Sequence, residues 1–480
     1  MIKKLLCLTM VLLLALSLCA CGGGGGNSTS TGGGNSTSTG GSSGGGSVII
    51  KPTNPTTKVD YKTYQSYWMK QHDYKTMPVA AFNGAANAEF YPKTMITDEH
   101  FKEMADCYIN TSFALYDKVH YVEDVKKTLE YCAKYGISYM AGGFSFGSSN
   151  SANVLEAEIY KALLDPANNT NALGGVMIRD EPSMLDFQTI RTSMDTFKEV
   201  FGKNKNYLYH ANLFPTYANT TQLYGNSEAN PVPEEGYTYE QYVDDYLEIY
   251  DPQILSYDYY PLRSNGTMSD GYFENMSIIR RKAMGKEIPF WVYIQTCKYS
   301  GGVRVPSEAD IHWQVNTALA YGCKGIQYFT YVIPSRMDTG TWEAAMIGHD
   351  GKPTDIYYYA QKVNKYIADV DEVLMCSLSK GIMKAGATPA TIPAEDVITG
   401  YGKLASVDGE SVLVGCFDYK GKDAYYVVNN DVYVDCDITL NFTEACDGYA
   451  HAYEGKTEFN GKNSLQMTLK PGTATLVVIG

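Results

Sequence analysis

The sequence predicts an α/β protein: a (β/α)8 barrel, the TIM-barrel class, followed by a small C-terminal antiparallel β-sandwich. Short apolar runs of strand length alternate eight times with amphipathic helical patterns, which is typical of this barrel. From Ile382 onward the pattern changes to short alternating runs separated by Gly, Asp and Asn, which favours antiparallel strands. A doubly wound sheet is disfavoured because no glycine-rich phosphate loop follows any of the predicted strands.

The predicted barrel strands are short and apolar, and turn-forming residues follow them. They cover residues 79–82, 111–115, 138–141, 175–178, 207–210, 254–257, 290–294 and 325–329. The predicted helices cover 122–135, 184–201, 239–250, 272–284, 307–321 and 355–374. Glu123 and Glu308 fall in first helical turns, where a carboxylate favours the positive end of the helix dipole. The predicted sandwich strands are 411–416, 424–429, 436–440, 464–469 and 473–479.

The N-terminal segment has the composition of a secretion signal. Two lysines in residues 1–4 precede an apolar stretch at 5–18, which is too short for a stable membrane span. The following Leu18-Cys19-Ala20-Cys21 resembles a bacterial lipobox, which implies cleavage before Cys21 and lipidation of its thiol. An ordinary signal peptide ending near Ala20 is the alternative.

Residues 22–47 contain almost only Gly, Ser, Thr and Asn, so they predict a flexible tether. The expected organisation is a signal peptide at 1–20, a lipidated tether at 21–50, the barrel at 51–380 and the sandwich at 381–480. This predicts an extracytoplasmic protein that a lipid anchor at Cys21 holds to the bacterial cell membrane.

Charge and cysteine content exclude several classes of function. The net charge is −14 and the sequence pI is about 5.0, which argues against a nucleic-acid partner because phosphate binding needs a basic surface. Of the 11 cysteines, the eight beyond the leader are scattered without metal-ligand spacing. Neither a metal nor another cofactor is therefore expected. Cys436 and Cys446 can be read as a disulfide, or as buried free thiols.

The ends of the predicted strands carry a ring of acids, amides and aromatics. In strand order these are Asn83, Asp117, Phe144, Asp180 with Glu181, Asn212, Asp258 with Tyr259 and Tyr260, Gln295, and Tyr331. Each alone has a structural explanation, since Asn and Asp suit turns and Tyr suits packing. Together they form the mixture that binds and cleaves sugars, placed at the end of the barrel where this fold carries its chemistry.

Four segments carry a resemblance to a known class of enzymes. They are 174–182 (GGVMIRDEP), 256–261 (SYDYYP), 289–295 (PFWVYIQ) and 318–330 (ALAYGCKGIQYFT), and 345–354 (AMIGHDGKPT) follows the last of them. In order and strand context they resemble clan A glycoside hydrolases, and are most similar to family-42 β-galactosidases and their relatives. The resemblance covers roughly residues 75 to 375, and it implies an oligo- or polysaccharide substrate.

The resemblance also implies roles for individual residues. Glu181 takes the position of the acid/base, and Asp180 that of the Asn which contacts the sugar 2-hydroxyl. The seventh strand departs from the pattern, because Ile294 stands where the family has its nucleophilic Glu. Contacts to substrate are expected from Asn83, Asp117, Arg179, His210, Asn212, Tyr260, Trp291, Gln295 and Tyr331. His210 can equally be a structural histidine, and Trp291 a wall of the barrel core.

Three interpretations of the chemistry remain open at this point. In the first, Glu181 is the general acid and Asp258 its partner carboxylate, in an inverting or a retaining arrangement according to their separation. In the second, Asp180 is the base, which requires a β-bulge because adjacent strand residues face opposite sides. In the third, catalysis is lost and the chain is a sugar-binding lipoprotein. A solute-binding lipoprotein would need two lobes, which the eightfold alternation disfavours.

Overall fold

The computed structural model describes residues 75–84, 94–113, 122–142, 161–168, 170–201, 207–299, 302–333 and 343–480. The signal peptide, the tether and the lipidation residue Cys21 lie outside the described residues. Asp117 and Phe144, predicted at the second and third strand ends, also lie outside them.

Eight parallel strands form a closed barrel, as predicted. They are β1 (Val79–Phe82), β2 (Thr111–Phe113), β3 (Ser138–Ala141), β4 (Leu173–Asp180), β5 (Leu208–Leu213), β6 (Leu255–Asp258), β7 (Phe290–Gln295) and β8 (Ile326–Phe329). Each strand pairs with its neighbour in sequence, and β1 closes the barrel on β8 with Ala80 opposite Gln327. The strands are almost continuously buried, because helices cover one face and side chains fill the other.

Six of the helices that the structure describes begin within three residues of the predicted starts, and two, α1 and α4, were not predicted. They are α1 (Asp98–Asp106), α2 (Val122–Tyr135), α3 (Phe187–Phe201), α4 (Thr220–Tyr224), α5 (Tyr239–Asp245), α6 (Gly271–Lys286), α7 (Glu308–Ala320) and α8 (Asp355–Met375). A capping box between Ser307 and Asp310 starts α7, satisfying two amides that the helix leaves free. The helix predicted at 239–250 is α5 followed by a π-helical turn, Tyr246–Tyr250.

The close approach of β4 and β5 depends on a glycine. A Cβ atom on Gly175 would lie 1.9 Å from the backbone oxygen of Leu208, so any side chain there would push the two strands apart. This contact positions the whole of β4, at whose end Asp180 and Glu181 lie.

The C-terminal part is an antiparallel sheet of seven strands, as the predicted class requires. The strands are β9 (Ser377–Gly386), β10 (Leu404–Asp408), β11 (Ser411–Tyr419), β12 (Lys422–Asn429), β13 (Cys436–Ala452), β14 (Gly455–Leu469) and β15 (Ala474–Ile479). The register of β13 shifts between Asn441 and Cys446. Before this bulge β13 pairs with β10, and after it with β15. The two parts of the sheet share one apolar core that includes Leu440 and Val477, which is consistent with a sandwich.

Buried polar contacts join the barrel to this sheet. The indole nitrogen of Trp313 on α7 donates to Asn430 at 2.7 Å, and the Tyr426 hydroxyl donates to Asn316 at 2.7 Å. Arg280 on α6 forms a buried ion pair with Asp396 at 3.1 Å. These contacts fix the C-terminal sheet against α6 and α7.

The described cysteines are all free, so Cys436 and Cys446 are not joined. Seven of the eight are buried. Among the helices that the structure describes, none combines the length and the apolar character needed to cross a membrane.

Candidate active site

Three carboxyl groups face one another at the carboxyl-terminal mouth of the barrel. Asp180 is the last residue of β4, Glu181 follows it, and Asp258 is the last residue of β6. Asp258 is 6% exposed, and the other two are half-buried. Asp258 and Asp180 both raise the pKa of Glu181 by charge repulsion, so the three carboxyls form one electrostatic cluster.

The backbone of β4 is irregular just before this cluster. Its register against β5 shifts between Met177 and Arg179, so that Arg179 pairs with Ala211 and Asp180 with Asn212. This is the β-bulge that the second interpretation of the chemistry requires. Glu181 then adopts a left-handed φ of 47°, a conformation that non-glycine residues rarely keep unless the surrounding structure imposes it.

Hydrogen bonds hold the turn after β4 in this strained form. The amide of Glu181 donates to the backbone oxygen of Asn212 at 2.9 Å. The hydroxyl of Tyr242 donates to the backbone oxygen of Pro182 at 2.7 Å. The position of the Glu181 carboxyl is therefore set by β5 and α5 as well as by its own strand.

A chain of hydrogen bonds inside the barrel orients Asn212 between the acids. The Gln327 amide donates to Ser256 Oγ at 2.8 Å, and Ser256 donates to Asn212 Oδ1 at 2.9 Å. The Nδ2 group of Asn212 is left pointing at the carboxyls, and donates to Asp258 Oδ1 at 2.8 Å. Asn212 also lies opposite Asp180 in the register of β4 and β5, and it lowers the pKa of that group.

Asp180 and Asp258 end the strands on either side of β5, which carries Asn212. The charge of Asp180 raises the pKa of Asp258, so the two carboxyls lie within electrostatic reach of each other. Two desolvated carboxyls so close to each other cannot both ionise easily.

The pKa values of the three acids are raised to different extents. Burial raises the pKa of Asp180 to about 6, with Asn212 and the Arg179 guanidinium opposing it. Burial, together with repulsion from Asp180, raises the pKa of Asp258 to about 8. The pKa of Glu181 lies well above its ordinary value because of burial and the two neighbouring carboxyls. Asp180 is therefore the first of the aspartates to ionise.

Tyrosines surround the acids. In six of them the charge of at least one of the three carboxyls contributes to a raised pKa of the hydroxyl: Tyr217, Tyr239, Tyr242, Tyr260, Tyr293 and Tyr299. Burial raises the pKa of each, so they stay neutral. The Tyr293 hydroxyl is buried near Asp180 and Asp258, and has no hydrogen-bond partner among the described residues. Such a group suits a hydroxyl of a bound ligand.

Two predicted contact residues lie deeper in the barrel than the acids. The ring of His210 packs edge-on against Phe113 at 4.8 Å between ring centroids, and lies 6.1 Å from the ring of Trp291. Burial lowers the pKa of His210 to about 3, so this histidine is neutral. A Cβ atom on Gly325 would lie 2.5 Å from the Trp291 ring. Both side chains form an interior layer and are not brought to the mouth.

Three other predicted residues occupy different places around the mouth. Tyr260 belongs to the site, with its ring 5.3 Å from that of Phe329. Arg179 acts on Asp180 through its charge. Asn83, at a φ of 55°, donates to the backbone oxygen of Val332 at 3.3 Å and so ties β1 to the segment after β8.

The remaining two predicted residues are held by the scaffold. The side-chain nitrogen Nε2 of Gln295 donates to the backbone oxygens of Cys297 at 3.1 Å and Arg304 at 2.9 Å, which fixes the loop after β7. Tyr331 is buried next to Tyr357 of α8 and Cys107, which caps α1. Its hydroxyl therefore points to the helix layer and away from the three acids.

Ile294, where the resemblance implies a nucleophilic Glu, also faces the helix layer. It pairs with Tyr328 of β8, and paired residues of parallel neighbours share a face. The Tyr328 hydroxyl donates to Asn364 of α8 at 2.5 Å. The inward positions of β7 hold Trp291, Tyr293 and Gln295, and none of these is an acid.

Sequence reasoning missed several residues of the site. Tyr217 and Tyr299 lie in loops, where no strand periodicity marks them. Ser256 and Gln327 lie inside strands whose sequences are mostly apolar. The only sequence signal for them is a polar residue between two apolar neighbours, which places the polar side chain on the opposite face of the strand from theirs. In the described ranges, no group of three or more His, Cys, Asp or Glu side chains is arranged to hold a metal ion.

Comparison with known proteins identifies the fold and not a family. No family model matches the chain, and no curated protein matches its sequence. The β-galactosidase from Bacillus circulans sp. alkalophilus superposes with a TM-score of 0.54 at 8% identity, covering 85% of this chain and 99% of that one. The shared feature is the fold.

Two further solved structures resemble the chain more weakly. A maltogenic α-amylase from Thermotoga neapolitana has a TM-score of 0.45 at 11% identity, covering 85% of this chain and 99% of that one. A β-galactosidase from the psychrophilic Marinomonas ef1 has a TM-score of 0.44 at 9% identity, covering 65% and 63%. These structural neighbours are (β/α)8 glycoside hydrolases.

Proposed function

We propose that this chain is a glycoside hydrolase that cleaves O-glycosidic bonds of an oligo- or polysaccharide. The observation that carries the proposal is the cluster of Asp180, Glu181 and Asp258 at the mouth of the barrel, with raised and unequal pKa values. Glycoside hydrolysis needs one protonated and one ionised carboxyl across the scissile bond. The surrounding neutral tyrosines offer faces and hydroxyls for sugar binding.

In this proposal Glu181 is the proton donor. Burial and the two neighbouring carboxyls raise its pKa well above the ordinary value, which favours the protonated form, and its partial exposure lets it reach a leaving-group oxygen. Asp180 and Asp258, on either side of Asn212, carry one negative charge between them, and this charge stabilises the cationic sugar in the transition state. Asp180 carries most of that charge because its pKa is the lower of the two.

The test is hydrolysis of soluble glycans, followed by reducing-end release. Asp180→Asn, Glu181→Gln and Asp258→Asn are compared with the wild type, and each is expected to lose about 10²–10⁴-fold in kcat/KM. The matched control is Asp371→Asn. Burial also raises the pKa of Asp371, to about 7, but this carboxyl accepts from the Met77 amide just before β1, at the opposite end of the barrel. Full activity in Glu181→Gln would contradict the assignment of the donor.

A second candidate is a carbohydrate-binding protein without catalysis. The buried, outward-facing Ile294 at the family nucleophile position favours it. Binding of glycans without turnover of any of them would select this candidate. A solute-binding lipoprotein has no comparable support, because that class needs two lobes and this chain forms a closed barrel.

We also propose that Cys21 carries a lipid anchor and that the protein acts outside the cytoplasm, at the cell membrane. The support is the sequence of the leader and the tether that follows it. In the native host, metabolic labelling with a fatty acid and detergent phase partitioning should both depend on Cys21. Unchanged partitioning of Cys21→Ala would exclude the anchor.

A further inference from the structure

Three exposed apolar side chains lie together beside the loops of β6 and β7. Among the described residues, Tyr433 is 69% exposed, Val434 54% and Val305 38%. Tyr433 and Val434 come from the loop between β12 and β13. Arg304, next to Val305 in the chain, is close enough for Tyr433 to influence its pKa. We call Val305, Tyr433 and Val434 the rim patch.

The rim patch rests on a rigid base. Backbone hydrogen bonds join the loops after β6 and β7. The amide of Arg304 donates to the backbone oxygen of Leu262 at 3.2 Å, and the amide of Ser264 donates to that of Gly302 at 3.1 Å. Gln295, at the end of β7, holds the same segment through the backbone oxygen of Arg304. The base is therefore continuous with the strand that ends at the active-site mouth.

Tyr433 is fixed at both ends although its ring is exposed. Its hydroxyl donates to the backbone oxygen of Gly266 at 2.8 Å, and its amide donates to Asp431 Oδ1 at 2.6 Å. Asn429 donates to the backbone oxygen of Val434 at 2.8 Å. A ring held in this way has lost most of its rotamer freedom before any ligand arrives, so binding to it costs little additional entropy.

Few side chains separate the rim patch from the acids. Arg263, in the loop after β6, donates to Ser269 at 2.9 Å and lies close to Tyr299. Tyr299 in turn lies close to both Asp258 and Glu181. Arg263 and Tyr299 thus connect the base of the rim patch with the acids, on the side of the mouth formed by the loops after β6 and β7.

We infer that the rim patch is a distal saccharide subsite, in which the Tyr433 ring stacks on a sugar of the chain whose scissile bond lies at the acids. This rests on the proposed function. The apolar face of a pyranose matches an exposed aromatic ring. A protein partner fits less well, because three side chains fall far short of the roughly 1,000 Å² that a specific protein interface buries. The C-terminal sheet thereby takes part in choosing long substrates over short ones.

The test compares Tyr433→Ala with Tyr358→Ala. Tyr358 is 56% exposed but belongs to the outer surface of α8, so it controls for the loss of an exposed tyrosine. With oligosaccharides of increasing length, Tyr433→Ala should raise KM about three- to tenfold for the longer ones, as expected for one lost stacking contact. It should leave kcat and the hydrolysis of aryl monoglycosides unchanged. Tyr433→Phe keeps the ring, so its KM for the longer oligosaccharides should lie between the values of the wild type and of Tyr433→Ala.

A length-independent effect of Tyr433→Ala, no effect at all, or an equal effect of Tyr358→Ala would overturn the subsite. Affinity electrophoresis in soluble galactan, xylan and starch separates it from the proposed function. If the wild type hydrolyses nothing but Tyr433→Ala weakens retention, the subsite stands and the hydrolase proposal fails. If hydrolysis occurs without dependence on Tyr433, the subsite alone fails. If the wild type neither hydrolyses nor is retained, both fail.

Discussion

Replacing Asp258 by Asn should stabilise the folded protein at neutral pH while it impairs turnover. Burial and the Asp180 charge raise the pKa of Asp258 from 3.8 to about 8. In the unfolded chain this carboxyl ionises at its ordinary value. Between these two values the folded state must hold a proton that the unfolded state has released, so stability falls as pH rises. Asparagine is neutral in both states and can still accept from Asn212.

The magnitude follows from the pKa difference. A pH of 7 is roughly three units above the ordinary pKa of this carboxyl, and each unit corresponds to about 1.4 kcal/mol. That gives about 4 kcal/mol as an upper value for the wild-type penalty. Because Asp180 and Glu181 share the repulsion, we expect Asp258→Asn to recover about 2–4 kcal/mol. Below about pH 3.8 both states are protonated and the difference should vanish.

Urea denaturation at half-unit pH steps from 3.5 to roughly 8.5 measures this difference. The control is Glu410→Gln, whose side chain is exposed in the turn between β10 and β11. The gain of Asp258→Asn should grow steadily with pH and level off near 8. A constant gain across the range, or a loss of stability at pH 7, would refute the assignment of a desolvated, proton-holding Asp258.

Three other substitutions examine the site at separate points. Glu181→Gly should be inactive but roughly 0.5–1 kcal/mol more stable than Glu181→Gln in thermal unfolding, because glycine adopts a positive φ without steric cost; equal stability would argue against strain at this residue. Ser256→Ala removes the donor that orients Asn212, so kcat should fall while KM stays nearly constant and the acid limb of the pH–rate profile moves upward; a change in KM alone would instead indicate a substrate contact. Ile294→Glu should restore no nucleophile and should destabilise the fold by about 3–5 kcal/mol in urea, as an uncompensated buried charge next to Tyr328 does; a gain in turnover would show that this position reaches the mouth.

The barrel could be predicted closely because its strands are continuous apolar runs between turn residues. β1 and β3 begin and end at the predicted residues. β4, β5 and β6 extend beyond the predicted ends, since the strands continue into polar residues that face the interior. An apolar run does not reveal such an extension.

Two strands of the C-terminal sheet were not predicted. β9 (Ser377–Gly386) contains lysines and glycines and shows little alternation, and its extended form comes from pairing with β11. β10 (Leu404–Asp408) is short and pairs with β13. In both cases the partner, distant in sequence, decides the structure, and local pattern carries no information about it.

The acids themselves could be predicted from strand ends, but their relationship could not. That Asp180 lies opposite Asn212, which donates to Asp258, depends on the bulge in β4, and a bulge has no signature in the residues 177–180. Tyr299 likewise reaches the acids from a loop. Residue types at strand ends thus identified the candidates, and backbone irregularity decided which of them meet.

The presence of Ile294 on β7, where the resemblance to family-42 enzymes implies a Glu, fits this geometry. With Tyr293 and Gln295 inward and Ile294 outward, β7 contributes no charge to the mouth. The negative charge instead lies on β4 and β6, on either side of β5, whose Asn212 donates to Asp258 and lowers the pKa of Asp180. A carboxylate at the inward position of Tyr293 would add a fourth acid to this desolvated cluster and raise the remaining pKa values further. In the proposed mechanism the chemistry depends on unequal protonation of Asp180 and Asp258, and Asn212, which lowers the pKa of both, is the residue that adjusts it.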